Sequence, residues 1–581
     1  MNANSKAPGS NGRVATPNRP KPSHSPDYDA IVIGSGLGGL TTAAYLTTNG
    51  LNTLVLEQYD VVGGCTHIFR RKLQWEFDVG IHYIGDCGPG GIIPTVLRGV
   101  ALDDRIEFEP MDPDGFDTML FPDLTFRVPA GWDNYLERLV ETFPAERAGL
   151  ERCIGTMKAI ADELHRTSAA TRFTDLVRFV VRNRTAVRNG SRSLGDLFDR
   201  CNLSQRARAV LAGESGDYGL PPSRASLTLH ATLMDHYLRN GACYPKGSGQ
   251  VFAAHLTDVI RTHGGSVRTQ ARVERILISS GKVTGVQLVN GEQISAPVVV
   301  SNADLKRTML ELVGPDRLSA RTLKRVRRYR MSLPIFSVYL GVGVDLRDRI
   351  PNTNYFIYSD YDIESAYSAV SEGRMPENAF AYVAAASLKD PTNPRLAPPG
   401  CSSLEIMTMV PPHHSFWGVG EGPAAGEKYR RNPTYLARKH EITEQLIAEA
   451  ERAIPDLGES ILWKEASTPI THERYTLASG GTGYGIELSP DQFGPKRPRP
   501  QTEIKGLYLA GASTMFAHGV FGVMYGGLGT AGAILGRDLR KEIEHGQVFA
   551  DASKLTAGGP DWDPFEASRR MAVKQRSPAA A

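Results

Sequence analysis

The chain reads as an α/β protein, a parallel sheet with an added β-meander, interleaved with a second, α+β domain, on three observations. The first is a short β-branched run, Ala30 to Ile33, that passes directly into Gly34-Ser35-Gly36-Leu37-Gly38-Gly39 and then an apolar helical stretch over residues 40–48. The second is another such run, Thr53 to Leu56, ending on Glu57. The third is a return to strand character late in the chain, around residues 273–300 and 506–512. Strand, tight turn and helix in that order, with an acid about 20 residues beyond the turn, define a Rossmann-type nucleotide-binding unit.

Each glycine of the turn has its own task. Gly34 makes the turn, Gly36 lets a diphosphate approach the backbone, and Gly39 lets the helix pack on the strand. The helix start, at Leu37 and Gly38, offers N–H groups and a positive dipole end to phosphate. Glu57 is placed to accept from ribose hydroxyls, and its charge repels a 2′-phosphate, which disfavours NADP.

Composition bounds the rest. A chain of 581 residues that is 41% hydrophobic supports a large core and more than one domain. A net charge of +3 gives no electrostatic basis for nucleic acid as a partner. The six cysteines include no C-x-x-C pair, which fits neither a disulfide framework nor a zinc site, so no metal is expected and a reducing compartment is. Residues 1–26 lack the apolar core of a secretory signal and read as a disordered tail; a cytoplasmic protein, at most peripheral on a membrane, is expected. Residues 506–536 carry no Lys, Asp or Glu, but their density of glycines favours a buried, cofactor-facing segment over a membrane span.

After Glu57 come Gly63-Gly64-Cys65-Thr66-His67-Ile68-Phe69 and Phe77-Asp78-Val79-Gly80-Ile81-His82-Tyr83-Ile84-Gly85. In these words the chain resembles the phytoene desaturase-like flavoprotein superfamily, and within it the retinol saturase and carotenoid isomerase branch. The resemblance spans roughly residues 28–540 and implies FAD as the cofactor. Bacterial phytoene desaturases usually carry Arg after the paired glycines; Cys65 stands there here, so a cationic contact would have to come from Arg70 or Arg71. The resemblance also implies that Val273 closes the adenine pocket through its backbone, and that Gly511-Ala512 and Gly519-Val520 lie beside the flavin ring and ribityl chain. Ala512-Ser513 matches the desaturase type rather than the acidic pair of amine oxidases.

These returns divide the chain. Segments 27–101, 243–330 and 467–546 are expected to build the FAD domain, and 102–242 with 331–466 the substrate domain, with 547–581 a flexible tail. The words Gly216-Asp217-Tyr218-Gly219 and His236-Tyr237-Leu238 resemble retinol saturase, but their chemistry is not legible from spacing, and Tyr218 and His236 read as structural. From Arg172 to Arg192 a helical face of Phe173, Leu176, Val177 and Val180 opposes Arg178 and Arg182, with Arg184 rotated back onto the apolar side. That pattern suits peripheral membrane contact or an ordinary solvated helix.

The chemistry implied is hydride exchange between flavin N5 and carbon, in a dry slot that holds a long hydrophobic polyene: a carotenoid, retinoid or other isoprenoid lipid. Saturation also needs a proton, and His82, Tyr83 and His518 are the candidate donors by their closeness in sequence to cofactor motifs. Alternatives are a reduced-FAD-dependent cis–trans isomerase and a non-catalytic flavoprotein lipid carrier. No second nucleotide fingerprint follows a strand, so electrons are expected from, or go to, a separate partner.

Overall fold

The computed structural model describes residues 26–72, 74–165, 181–556, 558–559 and 561–571. Its first layer is a five-stranded parallel sheet in the spatial order Leu507–Leu509, Val298–Ser301, Ala30–Ile33, Thr53–Leu56, Ser266–Arg268. Every residue of Ala30–Ile33 and Thr53–Leu56 is buried, as a parallel strand covered on both faces requires. Ala30, Val32 and Val55 face helices Leu37–Thr48, Gln250–Thr262 and Gly519–Leu535. Ile31, Ile33, Leu54 and Leu56 face the antiparallel meander Val273–Ser279, Lys282–Leu288, Gln293–Ser295. The Asn290-Gly291 turn joins the second and third of these strands. Ser266–Arg268 was not foreseen; three residues are too few to show a period.

The second layer is a seven-stranded sheet that draws on both 102–242 and 331–466. Its order is Ile461–Ser467, Ile335–Val342, Ser402–Met409, Ala381–Ala384, Asn354–Ile357, Asp117–Leu120, Thr125–Val128, antiparallel except where Asn354–Ile357 meets Asp117–Leu120. Side chains alternate cleanly between two cores. Phe356, Tyr382, Met407 and Met409 face helices Trp132–Thr142, Arg147–His165 and Leu227–Leu238. Tyr355, Ile357, Val383 and Ile406 face helix Pro433–Ala450. The α/β class with an interleaved α+β half is therefore the observed one.

The glycine-rich helix Gly519–Leu535 packs on Leu37–Thr48: a Cβ at Gly527 would stand 2.6 Å from the Gly38 carbonyl oxygen, and Thr42 Oγ1 donates to the Gly527 carbonyl at 3.1 Å. Small residues there allow backbone contact between helices, which accounts for the glycine density that favoured a buried segment over a membrane span. Among the described residues no helix is long and apolar enough to cross a membrane.

One expectation is corrected. Residues 548–556, 558–559 and 561–571 are not a loose tail but dock on the nucleotide-binding half. Phe565 is buried against Val61 and Ile68, the Val62 N–H donates to the Ser568 carbonyl and the Thr269 N–H to that of Met571, and Asp563 pairs with Arg70 at 2.7 Å. Its polar, glycine-rich composition hid a few well-placed anchors. Residues 1–25 and 572–581 lie outside the described residues. So do residues 172–180 of the basic stretch 172–192, whose described part includes the short helix Arg184–Asn189.

Phe565→Ala should lower stability by about 2 kcal/mol, the scale of burying one large apolar side chain, and shift the thermal midpoint downward by circular dichroism. An unchanged midpoint would return this segment to the status of an appendage.

Candidate functional site

At the carboxyl ends of the parallel strands the chain makes a cleft of about 320 Å³, lined among others by Gly34, Gly36, Leu37, Gly38, Glu57, Gly63, Gly64, Val273, Gly511, Ala512, Gly519 and Val520. Such crevices are where open α/β sheets take ligands. Gly34 holds a positive φ of 90°, a backbone state that side chains disfavour. A Cβ at Gly36 would stand 2.7 Å from Asn302 Nδ2, one at Gly38 2.8 Å from Asn302 Oδ1, and one at Gly511 2.7 Å from the same oxygen. Gly39 does not line the cleft; its Cβ would meet the Gly34 carbonyl at 2.4 Å, so its task is helix-on-strand packing.

The cleft fits a flavin nucleotide on its own polar groups. Helix Leu37–Thr48 starts at Gly36 and helix Gly519–Leu535 at His518, neither with a side-chain cap, so N–H groups at both starts are available to an acceptor. Asn302 Oδ1 and His518 Nε2 are buried with no hydrogen-bond partner. The Glu57 carboxylate takes the Ser35 N–H at 2.9 Å and the Ser35 hydroxyl at 2.6 Å on Oε2, and the Tyr59 N–H at 2.9 Å on Oε1. Three of its roughly four acceptor positions are thus filled, and one is left for a ribose hydroxyl.

Arg70 is a correction: it does not line the cleft. Its guanidinium donates to Glu76 at 2.8 Å and, through two nitrogens, to Asp563 at 2.7 and 2.8 Å. Arg71 is likewise bound to Glu465 at 2.7 Å. Arg272 and Arg307 do line the cleft, and it is supported from outside that lining by Arg497, which no motif marked. Arg497 is fully buried and donates to the carbonyls of Thr514, Ala512, Ile486, Glu487 and Gln492, clamping the loop after Gly511. Burial pulls it down to about 9.

The cleft opens into a cavity of about 990 Å³ walled mainly by aromatic and aliphatic side chains. Gly80, Ile81, Tyr484, His518, Gly519 and Val520 line both spaces. The structure brings His82, Tyr83 and His518 to this one cavity. Burial, then the charge of Lys389, pushes His82 down to about 3; burial, then Arg497, does the same to His518. Both imidazoles are neutral at ordinary pH. His518 stacks on Tyr484 at 4.5 Å, and His82 Nδ1 lies 3.4 Å from Glu405 Oε2. Tyr83 stacks on Tyr237 at 4.5 Å and donates its hydroxyl to Asp217 at 2.9 Å. Tyr218 is buried and His236 half-buried; Tyr218 is bonded to His230 at 3.1 Å, while His236 lines the cavity. Buried Lys389, also unmarked in sequence, donates to the His82 carbonyl and, at 2.6 Å, to Asn354 Oδ1.

A nucleotide crevice meeting an apolar reaction chamber defines a flavin-dependent oxidoreductase. Residues 37–379 match the model of the flavin containing amine oxidoreductases, and the chain belongs to that family, with FAD as its cofactor. All-trans-retinol 13,14-reductase of Danio rerio is 30% identical over 92% of this chain and 89% of its own. That of Homo sapiens is 30% identical over 89% and 87%. The chloroplastic prolycopene isomerase of Daucus carota is 26% identical over 87% and 79%. Among solved structures, an oxidoreductase from Methanosarcina mazei superposes with a TM-score of 0.58 over 87% of this chain and all of its own, at 16% identity. A putrescine oxidase bound to putrescine gives 0.58 over 88% and 99%, at 13% identity; at these identities the likeness is one of fold.

Gly36→Val should yield folded but colourless protein, because the new side chain collides with Asn302; flavin absorbance of the purified variant is the measurement. Yellow protein with unchanged FAD affinity would move the nucleotide elsewhere.

Proposed function

We propose that this protein adds or removes hydrogen across C–C bonds of a long hydrophobic polyene, a retinoid, carotenoid or related isoprenoid lipid. The observation that carries the reading is the large aromatic-walled cavity that meets the cofactor cleft at Tyr484, His518, Gly519 and Val520. Retinol reductases and prolycopene isomerases among the relatives support it.

In this reading Gly34, Gly36, Leu37 and Gly38 cradle the diphosphate, with Gly39 supporting the turn. Glu57 accepts from the ribose, Val273 borders the adenine, and Gly63 and Gly64 line the approach. Gly511, Ala512, Gly519 and Val520 lie along the ring, held in place by Arg497. When bound, FAD supplies two-electron hydride chemistry at N5. The chain's own residues do the rest: the apolar wall orients the polyene and excludes water, which strengthens every polar interaction inside. Neutral His82 and His518 act as hydrogen-bonding or packing groups, and Tyr83 as a phenol that keeps its proton. A separate electron donor or acceptor completes the cycle, and the stretch 172–192 is the candidate for membrane contact.

The prolycopene isomerases among the relatives favour one second reading, a cis–trans isomerisation that needs reduced FAD but makes no net redox change. The two separate in one experiment: reduce the flavin anaerobically, add retinoids and carotenoids, and follow flavin reoxidation with product mass. A gain of two hydrogens with reoxidation is the expected result, and an altered geometry at unchanged mass identifies the isomerase. Lipid that binds but is never altered, with flavin that stays reduced, would make the protein a carrier and overturn both.

A further inference from the structure

Saturating a C=C bond takes a hydride and a proton, and the neutral histidines of the cavity hold no acidic proton for the task. Among the described residues four carboxyl groups line the cavity: Asp86, Asp217, Asp235 and Glu465. Three have structural work. Glu465 is paired with Arg71 at 2.7 Å and Asp235 with Arg239 at 2.8 Å, and Asp86 accepts the Ile92 N–H at the start of helix Ile92–Gly99 at 2.8 Å. Of the four, Asp217 alone has neither a cation nor a helix N-terminus to pair with.

Its surroundings are those of a carboxyl group kept protonated until used. Asp217 is half-buried and open to the cavity. The Tyr83 hydroxyl at 2.9 Å and that of Tyr237 at 3.4 Å both converge on Oδ2, and among the described residues nothing hydrogen-bonds Oδ1. Asp117 and Glu214, both buried, lie within electrostatic reach of it, with both Glu214 oxygens unpartnered; Tyr218 and Tyr358 lie within that reach too. Tyr382 and Tyr484 also line the cavity within electrostatic reach of Asp217, and Lys389 bears on Asp117 rather than on Asp217. Tyr484 also ties this wall to the cofactor side, donating to the Gly216 carbonyl at 3.1 Å while stacking on His518.

We propose that Asp217 is the general acid of the saturation step, a role that rests on the polyene reading above. Its Oδ1–H bond would break and the proton form a C–H bond at one carbon of the C=C, using the π pair; FAD, when bound and reduced, would supply the hydride for the neighbouring carbon. Asp217 would be left as a carboxylate, which solvent reprotonates before the next turnover, and the electron pair supplied with the hydride would end in the second new C–H bond. The hydroxyls of Tyr83 and Tyr237 strengthen their hold as charge develops on the carboxylate, the kind of interaction that lowers a barrier. Burial raises Asp217 to about 7, against the pull of Tyr83 and Tyr237, so the acid form is present below that pH and is lost as pH rises through it.

The test uses holoenzyme with photoreduced flavin and a retinoid or carotenoid that the wild type saturates, in single turnover. Asp217→Asn should keep its FAD and bind the lipid, yet slow product formation about 100-fold or more, the usual contribution of a positioned acid. Wild-type rate should fall above about pH 7, and the variant should lose that break, with Asp217→Glu restoring part of both. Asp217→Asn within threefold of wild type, with the same pH break, overturns the assignment while leaving the polyene reading intact; a wild type that alters no polyene sinks the reading itself. If Asp217→Asn fails to hold FAD, Tyr83→Phe decides. Loss of one donor to the carboxylate must move the break upward, and a rate independent of pH in wild type or an unmoved break overturns the proposal.

Discussion

The carboxamide of Asn302 lies between 2.7 and 2.8 Å from where Cβ atoms would stand on Gly36, Gly38 and Gly511. The turn at Gly36 and Gly38 and the loop at Gly511 can both close on the Asn302 side chain only because neither carries a side chain of its own at the contact. The parallel sheet aligns them: Val298–Ser301 sits between Ala30–Ile33 and Leu507–Leu509, so the turn after each strand emerges at the same edge. The nucleotide cleft, the position of helix Gly519–Leu535 and the junction with the cavity all follow from this packing.

The second constraint is low dielectric. Removing water from the cavity sorts its titratable groups by what remains near them, since burial disfavours whichever form is charged. Histidines become neutral, and carboxyl groups without a cation keep their protons. Arg497 shows what it takes to hold a charge there: five backbone carbonyls surround its guanidinium, offsetting lost hydration and fixing the loop that follows Gly511. Lys389 is held in the same way by a carbonyl and a carboxamide oxygen.

The cofactor half was legible because its signals are local. A strand, a turn and a helix are adjacent in sequence at residues 30–48, and each glycine's purpose follows from the turn's geometry. Reasoning by adjacency failed at Arg70, which stands near the paired glycines in sequence but spends its donors on Glu76 and Asp563. It failed again after residue 547, where composition suggested looseness and a handful of anchors, Phe565 and Asp563 foremost, supply docking. Asp217 sits in a word that was noticed without a role, because Tyr83 is 134 residues away and the cavity that makes the carboxyl group unusual is built from both interleaved segments.

The amino-acid order by itself determined the α/β class, the crevice at the strand ends and, through family words, the kind of cofactor, because these rest on short-range steric rules that repeat wherever glycine, β-branched runs and a following acid fall at fixed spacing. Only the tertiary structure decided which carboxyl group lies without a counter-ion, which arginine clamps the flavin-side loop and how far the end of the chain is attached. Those are matters of burial and charge neighbours, and in a chain whose domains interleave, a residue's neighbours in space come from segments that sequence spacing does not connect.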